Sequence, residues 1–158
     1  MQDLKKFLVE IRKFLEPKWI EAHESWADEP IPNSSSKYMC RYSSIFLKEV
    51  LNQYGYGSWD IILGRPLQEL EGTPEGEFGY RNVKGNWYDH AWLVKDDALI
   101  DITADQHGGE EVLLGLKVDT RFKQNLTEDD AESASQLERL RKRVNPWLQD
   151  WQSLVQVK

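Results

Sequence analysis

The stretch that decides the fold is WYDHAWLVKDDALIDIT, residues 87–103. Residues 87–94 are rich in aromatic side chains and alternate in polarity, which is typical of a β-strand. Residues 95–97 are Lys-Asp-Asp and predict a turn, and residues 98–103 predict the return strand. Together these segments predict an antiparallel hairpin.

The predicted hairpin brings a histidine and an aspartate together. With the turn at 96–97, His90 lies opposite Asp101 or nearly so. Side chains directly opposite each other have Cβ atoms roughly 4.5–5.5 Å apart. Asp101 stands between Ile100 and Ile102, and a buried carboxylate is costly unless it is paired. We therefore expect a hydrogen bond between His90 and Asp101.

Outside the hairpin, the patterns predict helices at both ends of the chain and further strands in the middle. The predicted helices are 4–15, a second short helix that begins at Pro17 and reaches Trp26, a third from about Cys40 to Tyr54, a fourth that begins at Thr127 and a fifth that begins at Pro146. The further predicted strands are 59–63 and 112–118, and the predicted loops are 28–37 and 64–86. This order predicts an α+β fold in one domain, 1–158, with a core over 37–118 and helical N- and C-terminal extensions.

Charge and composition argue against several classes of protein. The 158 residues include 20 Lys and Arg against 27 Asp and Glu, a net charge of −7, which argues against a nucleic-acid partner. The longest apolar run, Ala91–Val94, is far shorter than the ~20 residues that span a bilayer, so we expect no membrane partner. The single cysteine and the charged N-terminus predict a reduced, cytoplasmic protein.

Cys40 occupies a position that favours a reactive thiol. It follows a Ser-rich loop and opens a predicted amphipathic helix. Unpaired N–H groups and the positive end of the helix dipole favour a thiolate there and are suited to hold an oxyanion. A thiolate nucleophile needs an imidazole partner, and His90 with Asp101 supplies the base and its orienting group.

The ordered set Cys40, HAW (90–92) and D-x-T (101–103) resembles the transglutaminase-core branch of the papain-like cysteine protease superfamily. The continuation ADQHG, 104–108, is similar to small bacterial members of that group. The resemblance covers residues 40–107 and implies helices packed on a small antiparallel sheet. It also implies a Cys–His–Asp site that hydrolyses or transfers an acyl group of a peptide or protein substrate, with Cys40 as nucleophile and without a cofactor.

The sequence departs from the papain pattern at the second oxyanion donor. That pattern has a glutamine six residues before the cysteine, where this chain has Ser34. Asn33, a serine hydroxyl and Gln106 remain candidates for the missing donor. Trp92 shares a strand face with His90 and is expected to wall or shield the site. The acidic loop 69–79 is expected to connect the elements or to form a lid.

Two other interpretations compete with thiol chemistry. A metal site would use His90, Asp101, Asp105 and His107, but zinc-type spacing is absent and the sequence predicts no metal. A non-catalytic binding, immunity or adaptor protein would keep the fold, and its acidic charge would suit a basic partner. Replacing Cys40 by serine separates the second interpretation from an enzyme.

Overall fold

The computed structural model describes residues 2–26, 30, 32–66 and 76–157. Its elements, in chain order, are α1 (Leu4–Ser25), α2 (Cys40–Gln53), β1 (Asp60–Gly64), β2 (Gly79–Arg81), β3 (Trp87–Tyr88), β4 (His90–Lys95), β5 (Ala98–Asp101), a 3₁₀ turn (Ala104–His107), β6 (Leu113–Leu116), β7 (Phe122–Lys123), β8 (Leu126–Thr127) and α3 (Ala131–Val157). The predicted α+β class is confirmed. Within these ranges, no helix has the length and apolar character that crossing a membrane requires.

The strands form two antiparallel sheets. The larger has the order β6-β5-β4-β1-β8, and the smaller has the order β3-β2-β7. The predicted hairpin is the β4–β5 pair at the centre of the larger sheet, where Leu93 lies opposite Ile100 and Lys95 opposite Ala98. Because side chains alternate across a strand, this register assigns each residue of the hairpin to one of two faces.

One face of the larger sheet packs on the helices. Ala91, Leu93 and Ile100 join residues of all three helices in one buried cluster, and Phe46 of α2 is fully buried within it. The opposite face carries His90, Trp92, Val94, Leu99 and Asp101. The smaller sheet covers this second face, which leaves the histidine and aspartate between two layers of strands.

Two glycines let the smaller sheet approach His90. Gly64 pairs with His90 across β1 and β4. A Cβ atom on Gly64 would lie 2.3 Å from the backbone nitrogen of Gly79, and one on Gly79 would lie 1.9 Å from the carbonyl oxygen of Tyr88. Gly79 also has a φ of +100°, which L side chains rarely adopt. This close approach brings Tyr80 over the histidine.

The prolines at 17 and 146 do not divide the terminal helices, and the prediction of separate helices was wrong. Pro17 lies inside α1 and Pro146 lies inside α3. An interior proline removes one hydrogen bond and costs about 3 kcal/mol. In α1, Leu15 and Trp19 are fully buried on either side of Pro17, and each buried side chain of this size contributes about 1.5–3 kcal/mol. Core packing therefore outweighs the local preference.

Three strand boundaries also differ from the prediction. The stretch 87–94 is not one strand, because Asp89 separates β3 from β4 and the two belong to different sheets. Within the predicted loop 64–86, residues 79–81 form β2. Thr127 ends β8 rather than opening a helix, and α3 begins four residues later at Ala131. The Thr127 N–H donates to the Asp130 carboxylate at 2.6 Å in the turn between them.

Two predicted loops lie partly outside the described residues. The structure does not describe 27–29 and 31, which include part of the loop 28–37, or 67–75, which include most of the acidic loop 69–79. The expectation that the acidic loop forms a lid therefore falls outside the described residues.

Candidate active site

Cys40 is the first residue of α2 and lies at the bottom of a cleft of about 820 Å³. Ser43 donates its N–H to the carbonyl of Met39 at 2.9 Å and closes the first turn, so the N–H of Cys40 has no acceptor within the helix. The cleft is lined by Trp26, Lys37, Tyr38, Cys40, Arg41, Tyr42, Asn82, Tyr88, Asp89, Gln106, His107, Gln136 and Leu140. Cys40 is 6% exposed, so it is nearly buried at the wall of this cleft.

His90 and Asp101 form a buried pair. His90 Nε2 lies 2.6 Å from Asp101 Oδ2, and the side chains are 0% and 1% exposed. The other carboxylate oxygen, Oδ1, accepts from the backbone N–H of Thr103 at 2.9 Å and from its hydroxyl at 3.2 Å. These three hydrogen bonds fix the carboxylate, which in turn fixes the imidazole.

Aromatic rings enclose His90. The ring centroids of His107, Tyr80, Trp92 and Phe122 lie 5.1, 5.7, 6.2 and 6.3 Å from that of His90. His90 is 0% exposed, so these rings and its other neighbours exclude water from it. We call these four residues the aromatic cage.

Burial alone would favour neutral His90, but its partners outweigh that effect. The charge and hydrogen bond of Asp101, with a smaller contribution from Cys40, raise the pKa of His90 to about 10. Because Asp101 occupies Nε2, the ring nitrogen left for the thiol is Nδ1. Nδ1 is buried and has no aligned hydrogen-bond partner within the ranges described, although the imidazole interacts with Cys40.

The thiol of Cys40 has a lowered pKa. Burial raises the pKa, but the neighbouring His90 imidazole and its charge lower it, and so does the charge of Arg41. Arg41 Nη1 lies 3.9 Å from the sulfur, and Arg41 Nη2 binds Asp89 Oδ1 at 2.7 Å. The Asp89 charge opposes ionisation by a smaller amount. These contributions favour a thiolate beside an imidazolium.

The remaining predicted site residues fall in different places. Gln106 lines the cleft with Cys40. Trp92 is 3% exposed, belongs to the aromatic cage and shields His90 from behind rather than lining the cleft. Asn33 is exposed and is not among the cleft residues. The oxyanion candidates of the sequence are therefore not brought to one place.

The residues of the competing metal interpretation have other partners. Asp105 accepts hydrogen bonds from Arg12 at 2.7 and 3.0 Å. The ring of His107 stacks on Tyr88 at 4.6 Å, and burial together with the His90 charge lowers the pKa of His107 to about 4. In the described part of the chain, no group of three or more His, Cys, Asp or Glu side chains is placed to hold a metal ion.

The sequence did not single out Arg12, which holds the segment around the 3₁₀ turn next to the site. Arg12 is 5% exposed, and its Nη1 donates to the carbonyls of Ile102 and Glu111, each at 2.8 Å. Together with its ion pair to Asp105, these bonds hold the chain on both sides of the 3₁₀ turn. A signal was present, because Arg12 interrupts the apolar stripe of the first helix next to Ile11.

Three separate parts of the fold supply the candidate site: the start of α2, strand β4 and the end of β5. Comparisons of the chain with models of protein families, with curated proteins and with solved structures found no match. What the site can do is therefore inferred from its own geometry and chemistry.

Proposed function

We propose that this protein is a thiol-dependent hydrolase or acyltransferase that acts on peptide or amide bonds. One observation carries the proposal: a buried carboxylate holds the imidazole that lowers the pKa of the only cysteine thiol. The chain order of Cys40, His90 and Asp101, with a helix against an antiparallel sheet, supports a papain-like fold of the transglutaminase-core type. Nucleophile, base and orienting group are all side chains, so the proposed reaction needs no cofactor.

The first half of the proposed reaction forms an acyl-enzyme. The Cys40 thiolate attacks the carbonyl carbon, so an S–C bond forms and the carbonyl π electrons move to oxygen. When the oxyanion collapses, the C–N bond breaks and the leaving nitrogen takes a proton from the His90 imidazolium. A thioester on Cys40 and a free amine result.

The second half regenerates the thiolate. Water or an amine attacks the thioester carbon while His90, now neutral, accepts the proton of the attacking group. The C–S bond then breaks, and its electron pair returns to Cys40. Water as the acceptor gives hydrolysis, and an amine gives acyl transfer. Asp101 keeps its charge throughout and stabilises the imidazolium.

The walls of the cleft suit a peptide or protein substrate. Trp26, Tyr38, Tyr42, Tyr88 and Leu140 give it aromatic and apolar surface, which peptide-binding sites commonly use. Tyr38 is 59% exposed and projects at the rim. The cleft is bounded by parts of α2 and α3, by Trp26 directly after α1 and by the β2–β3 hairpin, and its volume of about 820 Å³ suits part of a peptide chain.

The rate of alkylation of Cys40 by iodoacetamide against pH tests the proposal. Because the chain has one cysteine, the intact mass reports this site alone. We expect an inflection below the ordinary thiol value of about 8.5 in the wild-type protein. The inflection moves upward in His90→Ala, because the mutation removes the imidazole that favours the thiolate.

Turnover of peptide and amide libraries by wild-type protein and Cys40→Ser completes the test. The serine variant is expected to fold as the wild-type protein does and to lose turnover. An ordinary inflection that is indifferent to His90 would contradict the proposal and identify Cys40 as a structural thiol. Retained binding of a basic partner by such a protein would then identify a non-catalytic binding module.

A further inference from the structure

Gln106 presents a buried amide nitrogen that has no hydrogen-bond partner. Its Oε1 accepts from the backbone N–H of Tyr38 at 3.1 Å. Its Nε2 is buried and, within the residues that the structure describes, makes no hydrogen bond. Gln106 lines the same cleft as Cys40. A buried donor without an acceptor destabilises the fold, which makes this amide a candidate for a role in function.

The orientation of the Gln106 amide follows from its bond to Tyr38. Oxygen and nitrogen of a side-chain amide are hard to tell apart by shape, and their assignment depends on the hydrogen bonds they make. An N–H group of Tyr38 requires an acceptor, so the oxygen must face Tyr38. Nε2 therefore lies on the side of the amide away from Tyr38, and its two N–H bonds have no acceptor among the described residues.

The other oxyanion candidates are already engaged or distant. The Ser34 hydroxyl lies 2.7 Å from that of Ser36 and donates to Asp105 Oδ2 at 3.1 Å. Asn33 is exposed and does not line the cleft. Of the candidates that the sequence offers, Gln106 alone lines the cleft that holds Cys40, and its amide nitrogen has no hydrogen-bond partner among the described residues.

We propose that Gln106 Nε2, together with the backbone N–H of Cys40, binds the oxyanion formed when the Cys40 thiolate attacks an acyl donor. This inference rests on the proposed function. As the S–C bond forms, negative charge moves from sulfur to the carbonyl oxygen, and donors that already point to that oxygen stabilise the transition state. In the papain pattern this donor is a glutamine that precedes the cysteine in the chain. Here Gln106, which follows Cys40 in the chain, supplies it.

The turn that carries Gln106 is held in place before a substrate arrives. Asp105, its neighbour, forms a bidentate ion pair with buried Arg12. Gly108 ends the turn at a φ of +88°, and its N–H donates a hydrogen bond to the carbonyl of Asp105 at 3.0 Å. Preorganised donors contribute most to catalysis because they need no rearrangement during the reaction.

Two reactions of Cys40 separate oxyanion binding from thiol reactivity. Acylation by p-nitrophenyl acetate forms an S–C bond, passes through an oxyanion and releases p-nitrophenolate. Alkylation by iodoacetamide occurs at a saturated carbon, releases iodide and forms no oxyanion. The ratio of the two rate constants therefore cancels changes in the fraction of thiolate and reports the oxyanion site.

We expect Gln106→Met to lower this ratio by about 10²-fold, the usual effect of removing one oxyanion donor. Gln106→Glu keeps an oxygen for the Tyr38 N–H but lacks the donor, so it is expected to lower the ratio as well, even if Gln106→Met folds poorly. Gln149→Met makes the same chemical change at an exposed position of α3 and is expected to leave the ratio unchanged.

The outcomes distinguish this inference from the proposed function. Rapid acylation of the wild-type protein with unchanged ratios in both Gln106 variants would overturn the role of Gln106 and leave the proposed function standing. If p-nitrophenyl acetate acylates the wild-type protein no faster than it acylates glutathione, with both rate constants expressed per thiolate, the proposed function itself would be overturned. An equal loss in Gln149→Met would show a general effect of glutamine replacement and also overturn the inference.

Discussion

His90 and Asp101 are diagonal neighbours across β4 and β5, with Nε2 of the imidazole 2.6 Å from Oδ2 of the carboxylate. Leu93 lies opposite Ile100, so the same register continued one step places Trp92 opposite Asp101. Diagonal positions are about 7–8 Å apart, which a histidine side chain can bridge. Because His90 and Asp101 are diagonal, the residue directly opposite Asp101 is Trp92, and its indole ring covers the pair.

Asp101→Asn is expected to lower the pKa of His90 and to abolish most turnover. An amide cannot stabilise the imidazolium, and replacing the orienting carboxylate of a catalytic triad lowers turnover by as much as about 10⁴-fold. NMR titration of the His90 ring protons measures the pKa. Asp96→Asn is the matched control, because Asp96 lies in the turn of the same hairpin and its side chain is 88% exposed. A His90 pKa that stays near 10 in Asp101→Asn would contradict the assignment.

Cys40→Ser is expected to make the free energy of unfolding fall more steeply with rising pH. His90 has a pKa of about 10 in the folded protein against 6.5 for a free side chain, so its stabilising contribution is complete below pH 6.5 and is lost as pH rises through about 10. One such group changes stability by at most about 1.4 kcal/mol per pH unit.

In the wild-type protein, Cys40 opposes this trend. Its lowered pKa stabilises the fold above the ordinary thiol pKa, and that contribution is lost as pH falls. Urea denaturation between pH 6 and 10 compares wild type, Cys40→Ser and Cys40→Ser/Asp101→Asn. The double variant lacks the partner that raises the His90 pKa and should have the flattest profile. Parallel profiles for all three proteins would count against a charged His90.

Arg41→Met is expected to raise the pKa of Cys40 and to slow its alkylation below the inflection. Removing a charge about 4 Å away costs at least about 1 kcal/mol, or roughly fivefold in thiolate. A more basic thiolate is also a stronger nucleophile, so the net loss of rate is about twofold to threefold. Iodoacetamide rates against pH measure both effects. Arg81→Met, an exposed arginine of β2, should match wild type, whereas an unshifted inflection in Arg41→Met would remove Arg41 from the site.

Arg12→Leu is expected to lower the free energy of unfolding by about 3–5 kcal/mol. The mutation leaves Asp105 and two carbonyl groups without their donor, and breaking one side of a buried ion pair has a cost of this size. Chemical denaturation measures the loss. Lys13→Leu, the exposed neighbour on α1, should change stability by less than about 0.5 kcal/mol. If Arg12→Leu and Lys13→Leu lower the free energy of unfolding by similar amounts, the hydrogen bonds of Arg12 do not stabilise the fold as inferred.

Local patterns predicted the centre of the fold well. The hairpin of β4 and β5 and the helix from Cys40 are each specified by residues close in sequence, through alternation, a turn and an apolar stripe. The contact between His90 and Asp101 followed from the hairpin alone. The start of α2 and the hairpin then suggested the same three residues that the structure brings together.

Contacts between distant residues account for what the sequence did not reveal. Pro17 stays within α1 because Trp19 and Leu15 are buried against other elements, which no local rule describes. The smaller sheet depends on the close approach of Gly64 and Gly79, and the aromatic cage depends on that sheet. The partners of Arg12 are Ile102, Asp105 and Glu111, which lie 90, 93 and 99 residues away in the sequence.

The short chain segment between His90 and Asp101 also bears on how the protein folds. The two residues are only 11 positions apart and are joined by a tight turn. Hairpins of this kind form in about 1–10 μs, whereas contacts between remote segments close later because they lose more chain entropy. We therefore expect the imidazole and carboxylate to meet before α2 docks on the sheet, so the reactive thiol is generated in a late step of folding.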